Sequence, residues 1–486
     1  MPASGLTDRR AGGARVRDDL TRIEPSDPAE VASVGRRVLT AIDVPTPRGI
    51  AAAVNRLIRS GRLVTGDRLP TVRDLARDLG VSPATVSEAW QALSAVGAIE
   101  SRGRAGTFVR STAEPSRPIR YLGVGLAPAA SGLDLSTSMP DPALLPALRP
   151  ALEAVTDPDL VWTTSYLDDP VLPRLAELLA AEWPFAAQRI VTVDGALDGL
   201  ARVIDQIVRL GDRVAVESPG FPALIDLLEN RGAEVVPVAL DGEGMRPEAL
   251  MAALEREPVA IFLQPRAQNP TGASMTPARI AALGEILQPT RAWVVEADHS
   301  GQIAQAGDLS LGSLLPDRTV RVRSYSKSHS PDLRTAAVGG AAEVIDPLMA
   351  RRMLGPGWTS RILQGVLVHL LTDPEAIAAV ATARTTYARR VGAFREALSA
   401  HGVASRPADG INVWVDVADE RSALLMLAAA GIRVAPGSPF CVGAQDSAHV
   451  RITAGLLPDD LDVIERVAAE VAAACAARPS ARGGIS

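Results

Sequence analysis

Val320-Arg321-Val322-Arg323-Ser324-Tyr325-Ser326-Lys327 reads as a short strand that empties into a lysine, with Arg334 seven residues further on. Loops at the carboxyl ends of strands are where α/β sheets hold ligands. Lys327 also stands out in the composition: of the chain's 50 Lys and Arg residues it is the one lysine. Arg and Lys serve a solvated surface about equally. An ammonium, however, gives up its proton readily and forms a Schiff base with an aldehyde, which a guanidinium does not. Ser324, Ser326 and Arg334 suit a phosphate and Lys327 suits an aldehyde carbon, so the group as a whole fits a phosphorylated aldehyde.

Working outward, short β-branched runs alternate with amphipathic stretches. The runs are Ile190–Val193, Val214–Glu217, Val235–Val238, Val259–Leu263, Trp293–Glu296, Val320–Ser324 and Ala337–Gly339. Strands that alternate with helices predict a mainly parallel sheet covered on both faces, an α/β architecture. Other polar segments fall at equivalent strand ends. Val193-Asp194-Gly195-Ala196 is a strand–glycine–helix start whose free backbone N–H groups can take a phosphate. Ser218-Pro219-Gly220-Phe221 places an aromatic where it can stack on a ring, and Asn269-Pro270-Thr271-Gly272 places an amide that can donate to a phenolate. Taken singly, these read equally well as a helix entry, a core aromatic and a turn; their shared placement is what points to a site. From about Asp373 the pattern is mainly helical, with strands near Ile411–Val415 and Val450–Thr453, which predicts a smaller C-terminal α+β part over 373–476 and a tail at 477–486.

With 486 residues, 47% hydrophobic and 22% charged, the chain has a globular, multi-domain profile. Cys441 and Cys475 are its two cysteines, so a disulfide framework or a Cys-based zinc site is excluded and a reducing cytoplasm is expected. The five His residues lack metal-ligand spacing, and no apolar run reaches the ~18 residues of a membrane span. The net charge of −6 is unevenly spread. Residues 1–45 carry seven Arg and seven acids, residues 46–110 ten Arg and five acids, and residues 111–486 33 bases and 44 acids. A basic module ahead of an acidic body is the electrostatic footprint of a nucleic-acid-binding head.

That module has a helix-turn-helix pattern. Residues 1–45 read as mobile, with one short helical stretch at Val31–Ile42. Ile50, Val54, Leu57 and Ile58 mark an amphipathic helix. Thr71-Val72-Arg73-Asp74 opens a second helix that Gly80 stops, and Ser82-Pro83 opens a third that buries Val86, Trp90 and Leu93. Ile99–Arg102 and Thr107–Val109, joined by Gly103-Arg104-Ala105-Gly106, form a hairpin. A winged helix-turn-helix over 46–110 would put Ser82, Ala84, Thr85 and Ser87 near base edges. Arg73, Arg77, Arg102 and Arg104, with Gly106 and Thr107 on the wing, would lie along the phosphates of double-stranded DNA. The alternative is a small helical protein-interaction module. Ala113–Ser131 is rich in Pro, Ser, Arg and Gly, so 111–132 reads as a linker.

Two resemblances follow from these residues. Gly66-Asp67-Arg68-Leu69-Pro70-Thr71-Val72-Arg73-Asp74-Leu75-Ala76, with Leu79-Gly80-Val81-Ser82, Thr85-Val86 and Gly106-Thr107-Phe108-Val109, resembles the DNA-binding domain of GntR-type regulators. Pro83 stands where that family often has Arg, which removes one expected DNA contact. Residues 133–476 resemble a fold-type I aminotransferase domain that binds pyridoxal 5'-phosphate (PLP). The combination resembles the MocR-type regulators. The resemblance implies Lys327 as the Schiff-base lysine and Asn269 at the cofactor hydroxyl, with Phe221 as the stacking aromatic. It implies Gly195 and Ala196 as the phosphate loop, and Ser324 and Arg334 as further phosphate ligands. Tyr166 matches a Tyr that reaches the neighbouring subunit's phosphate in a homodimer, and Arg451 a grip for a substrate or effector carboxylate.

One departure bears on mechanism. In Glu296-Ala297-Asp298-His299, Ala297 replaces the Asp that keeps the pyridine nitrogen protonated, and His299 stands where many relatives carry Tyr. Without that carboxylate the ring is a poorer electron sink. Asp298 would compensate only if the strand shifted by one residue, which reverses side-chain faces. Val171 also replaces a usual Gly after Asp169-Pro170. The expectation is therefore a cytoplasmic transcriptional regulator that senses PLP, or an amino acid or amine exchanging onto it. The alternatives are a working aminotransferase that carries a DNA-binding domain and a regulator that has lost PLP.

Overall fold

A computed structural model of the chain describes residues 28–95, 97–101, 103–110, 118–125, 132–155, 163, 165–443 and 448–477. They fall into two compact units divided between Glu114 and Pro115. Of the segment expected to be mobile, residues 1–27 lie outside the described residues, and α1 (Pro28–Thr40) follows them.

In the first unit α2 (Pro47–Arg59) starts at Thr46, whose side chain accepts from the Gly49 N–H at 3.2 Å. Thr71 caps α3 (Val72–Leu79) by accepting from the Asp74 N–H at 3.2 Å while its hydroxyl donates to the Asp74 carboxylate at 2.6 Å. Gly80, at φ 67°, ends α3 in the left-handed conformation that glycine adopts without strain. Three residues later α4 (Pro83–Ala95) begins, with Ser82 accepting from the Thr85 N–H at 3.2 Å. Val86, Trp90 and Leu93 of α4 are buried against Ile50, Val54 and Leu75. The hairpin pairs β1 (Ile99–Ser101) with β2 (Thr107–Val109), Ile99 opposite Val109. The result is a winged helix-turn-helix.

The second unit begins with an element that the linker reading does not contain: α5 (Ile119–Val124) is helical. The remainder of the expected linker, 111–117 and 126–131, lies outside the described residues. β3 (Leu133–Asp134), α6 (Leu148–Ala154) and α7 (Pro173–Glu182) lead into the alternating part of the chain. That part runs β4 (Arg189–Val193), α8 (Ala196–Ile207), β5 (Arg213–Ser218), α9 (Pro222–Arg231), β6 (Glu234–Asp241), β7 (Gly244–Met245) and α10 (Pro247–Leu254). It continues with β8 (Ala260–Leu263), α11 (Pro277–Leu287), β9 (Trp293–Asp298), β10 (Thr319–Ser324), β11 (Ala336–Gly340) and α12 (Ala342–Met353).

These strands form one sheet in the order β4-β11-β10-β9-β8-β5-β6-β7. It is parallel through β10, β9, β8, β5 and β6, while β11 runs antiparallel to both its neighbours and β7 to β6. Leu200, Val203 and Ile204 of α8 pack on one face with Val193, Val295 and Val322; Ile280 and Leu283 of α11 pack on the other with Ile261 and Val294.

α13 (Arg361–Thr372) and the 27-residue α14 (Pro374–Ala400) connect to the smaller part. There β12 (Val413–Val417), α15 (Glu420–Ala429), β13 (Ile432–Arg433), β14 (Ala435–Pro436), β15 (Ala448–Ile452) and α16 (Leu461–Cys475) build a sheet ordered β12-β15-β14 backed by helices. The smaller part is not purely C-terminal. β3 pairs in parallel with β13, so residues 133–135 join it and bring Ser136 and Ser138 towards the main sheet. Among the described residues no single helix is long and apolar enough to cross a membrane.

Candidate functional site

Five segments singled out in the sequence leave the carboxyl ends of β4, β5, β8, β9 and β10, and a cavity there is lined by Lys327, Phe221, Asn269, His299, Arg334 and Arg451, among others. Ala196, Ser324 and Ser326 also line it.

The Lys327 Nζ donates to Ser138 Oγ at 3.3 Å, and the same oxygen accepts from Asn412 Nδ2 at 2.9 Å. No carboxylate is among the described residues that line the cavity. Burial, and then the charge of Arg451, push the Lys327 ammonium down to about 7. Burial, and then the charge of Lys327, hold His299 well below the usual imidazole range, so its ring is neutral. His299 Nε2 lies 3.2 Å from Ser300 Oγ, while its Nδ1 is buried with no hydrogen-bond partner among the described residues. Arg451 donates to Asn269 Oδ1 at 3.1 Å and to the Ser136 carbonyl, and its guanidinium lies 4.9 Å from the Phe440 ring centre.

Next to the lining residue Ala196, Gly195 is the N-cap of α8 at φ 100°, and no side chain caps the first turn. A side chain at 195 would run into the Arg334 guanidinium, which leans over this turn. The first-turn N–H groups of α8, Arg334 and the Ser324 and Ser326 hydroxyls therefore make an anion cradle. A phosphate at the cradle, an aldehyde at the near-neutral Lys327 and a polar ring substituent at Asn269 fit the donor set present, and the unpartnered His299 Nδ1 marks a polar atom left for a ligand.

β9 answers the question of its acidic residues. Ala297 pairs with Val322 and packs with Leu200 and Val203 on the face that carries α8. Asp298 points to the other face. Its Oδ1 accepts from Arg266 Nε (3.0 Å) and the Gly301 N–H (3.2 Å); its Oδ2 accepts from Arg266 Nη2 (2.8 Å), Arg321 Nη2 (3.0 Å) and Arg323 Nε (3.2 Å). Burial alone would raise its pKa, but Arg321 and Arg266 hold the carboxyl well below the usual range. Asp298 is thus no substitute for the missing Asp, because alternation on the strand turns it away and five donors occupy it.

Tyr166 does not join the cavity within one chain. It is 88% exposed, with its ring 5.9 Å from that of Trp358. Sequence reasoning also missed several lining residues, among them Ser138, which is placed by β3; Phe440; and Tyr121 and Val124 of α5. The apolar Ile119, Tyr121, Leu122 and Val124 inside a Pro- and Gly-rich stretch were the one signal for the last pair.

In the first unit Arg73, Arg77, Ser82 and Ala84 are exposed and Thr85, Ser87, Gly106 and Thr107 half-buried along α3, α4 and the wing. Arg77 is shared between Asp74 and Asp78, both at 3.2 Å. Arg102 and the side chain of Arg104 lie outside the described residues.

Residues 133–466 match the family "Aminotransferase class I and II", and residues 46–109 match "Bacterial regulatory proteins, gntR family". The vitamin B6 salvage pathway transcriptional repressor PtsJ of Salmonella typhimurium is 34% identical over 426 residues, covering 86% of this chain and 96% of that protein. The HTH-type transcriptional regulator TauR of Rhodobacter capsulatus is 28% identical, over 79% of this chain and 87% of its own length. Among solved structures, aspartate aminotransferase from Thermus thermophilus with maleate superposes with a TM-score of 0.62 at 22% identity, covering 71% of this chain and 92% of that one. That likeness extends to the fold alone.

Proposed function

The chain belongs to the MocR-type regulators, in which a gntR-family head is joined to an aminotransferase class I and II body, and on that premise we propose that the body binds PLP at Lys327 and that its occupancy sets DNA binding by the head. The observation that carries this reading is a Lys327 whose ammonium is pushed down to about 7 sharing one cavity with an anion cradle. Bound there, PLP would supply an aldehyde carbon open to amines and a phosphate dianion.

The chain's own residues would divide the work. Lys327 presents an unprotonated amine near neutral pH, because burial and Arg451 disfavour its charge. Gly195 and Ala196, with Arg334, Ser324 and Ser326, would hold the phosphate. Phe221 would lie against the ring, while Asn269 and neutral His299 would offer hydrogen bonds to ring substituents. Arg451 would receive the carboxylate of an amino-acid effector. Tyr166 would serve the partner copy of a homodimer; its exposure beside Leu167, 80% exposed, supports an apolar contact there. The head would read double-stranded DNA through α4, in the cytoplasm.

Ala297 favours sensing over turnover. With Asp298 committed to the other face, no residue lining the cavity keeps the ring nitrogen protonated, and steady transamination needs that electron sink. In the test, PLP is added to the full chain and both the visible absorbance of lysine-bound PLP and DNA affinity are followed. We expect wild type to gain the absorbance and change its DNA affinity, and Lys327→Ala to do neither. The same absorbance in the variant removes the reading. Sustained conversion of an amino acid with a keto-acid acceptor would favour the aminotransferase alternative.

A further inference from the structure

α5 has few means of holding itself. Six residues are too short for a self-supporting helix, and none of them is buried. Pro118, at its N-cap, supplies no side-chain acceptor. The large domain supplies one instead: Asp226 of α9 accepts from the backbone N–H groups of Arg120 (3.2 Å) and Tyr121 (2.9 Å). The Arg120 guanidinium then forks onto Glu229 (2.8 and 3.3 Å) and donates to the Cys441 carbonyl at 2.7 Å. Past the other end, Arg433 donates to the Gly125 carbonyl at 2.9 Å. α5 is therefore a strap held by side-chain ties, whose docking rests on a few half-exposed polar contacts.

The strap also looks into the Lys327 cavity. Tyr121 and Val124 line it, and the Tyr121 ring meets Phe221 edge-on at 6.1 Å. Tyr121 is still 46% exposed, so an occupant lying along Phe221 would cover ring surface that solvent now reaches. Only seven residues, 111–117, separate the helix-turn-helix unit (which runs to Arg110) from Pro118. The same short helix thus borders the cavity and begins the covalent connection to the head.

We propose that α5 is an effector-reading strap: a molecule in the Lys327 cavity contacts Tyr121 and Val124, favours the docked helix, and so changes DNA binding by the head. The proposal rests on the functional reading above and adds the residues through which occupancy is read. By linkage, whatever loosens the strap must weaken the coupling between cavity and DNA in both directions.

The test uses the full chain, with PLP as the probe. Hydrogen exchange of residues 119–125 should slow when PLP is added to wild type. The ratio of DNA affinities with and without PLP, expected in the roughly 5–150-fold range of allosteric couplings, should fall to within about twofold in Arg120→Ala. Glu229→Gln, a milder loss of the same tie, should fall between the two. Both variants should keep the visible absorbance of bound PLP, since neither residue lines the cavity. Wild-type coupling in both variants, or unchanged exchange at 119–125, overturns the strap while leaving the functional reading intact. Absent PLP absorbance in wild type overturns the functional reading, and the strap with it.

Discussion

On one face of β9, Glu296 and Asp298 meet Arg321, Arg266 and Arg323 in a buried network; on the other, one residue along, Ala297 offers only a methyl group to the side that carries α8. The two faces share a backbone and a register but not their electrostatics. Glu296 accepts from Arg321 at 2.9 Å and Ser310 at 2.7 Å, and Asp308 adds a further carboxylate to Arg321 and Arg323. Charge there is matched and closed. In the cavity Lys327 donates to a serine, and burial, then the charge of Arg451, leave its proton loosely held. Alternation along a strand keeps an acid on one face of β9 from serving the other.

Breaking the closed face should have the largest effect. Asp298→Ala leaves Arg266, Arg321 and Arg323 short of their shared carboxylate, and removing one partner of a buried network costs about 3–5 kcal/mol. Chemical denaturation should show the loss directly, and an unchanged midpoint would mean that water or Asp308 takes over the role. The open face is tested by pH. Capture of PLP by Lys327 should rise as pH increases through about 7 and level off above it, because the amine is protonated and unreactive below that value. Ala297→Asp puts a carboxylate on that side, so it should move this midpoint upward and should raise single-turnover transamination of a bound amino acid; stopped-flow absorbance follows both. The smallest effect belongs to the head. Arg73→Ala removes an exposed guanidinium that would meet a phosphate, and should weaken DNA binding evenly across sequences, flattening the slope of log affinity against log salt by about 1.

Much of this was legible in the chain. The helix-turn-helix followed from Thr71, Gly80 and Ser82-Pro83, whose cap chemistry is local, and the sheet strands from runs of β-branched residues. Lys327 and its companions were legible because each follows a strand, so a shared location needed no knowledge of distance. What was not legible depended on partners far along the sequence. The facing of Asp298 is set by its pairing with Arg323 and by Arg266, 32 residues away. The helical state of α5 depends on Asp226 and Cys441, 106 and 321 residues beyond the groups they bind. Ser138 reaches Lys327 only because β3 pairs with β13, nearly 300 residues later. β12 also lies two residues later, and β15 begins two residues earlier, than β-branched residues alone put them, since strand limits follow pairing rather than composition.

The lone lysine has one more consequence, for chemical selectivity. On an ordinary protein surface a free aldehyde is shared among many amines and forms adducts that carry no information. Here the only side-chain amine lines one cavity, so adventitious adducts on surface lysines have nowhere to form. Apart from the terminal amine, on the proposed function every imine would form where it can be read, and reduction with borohydride should fix one label per chain.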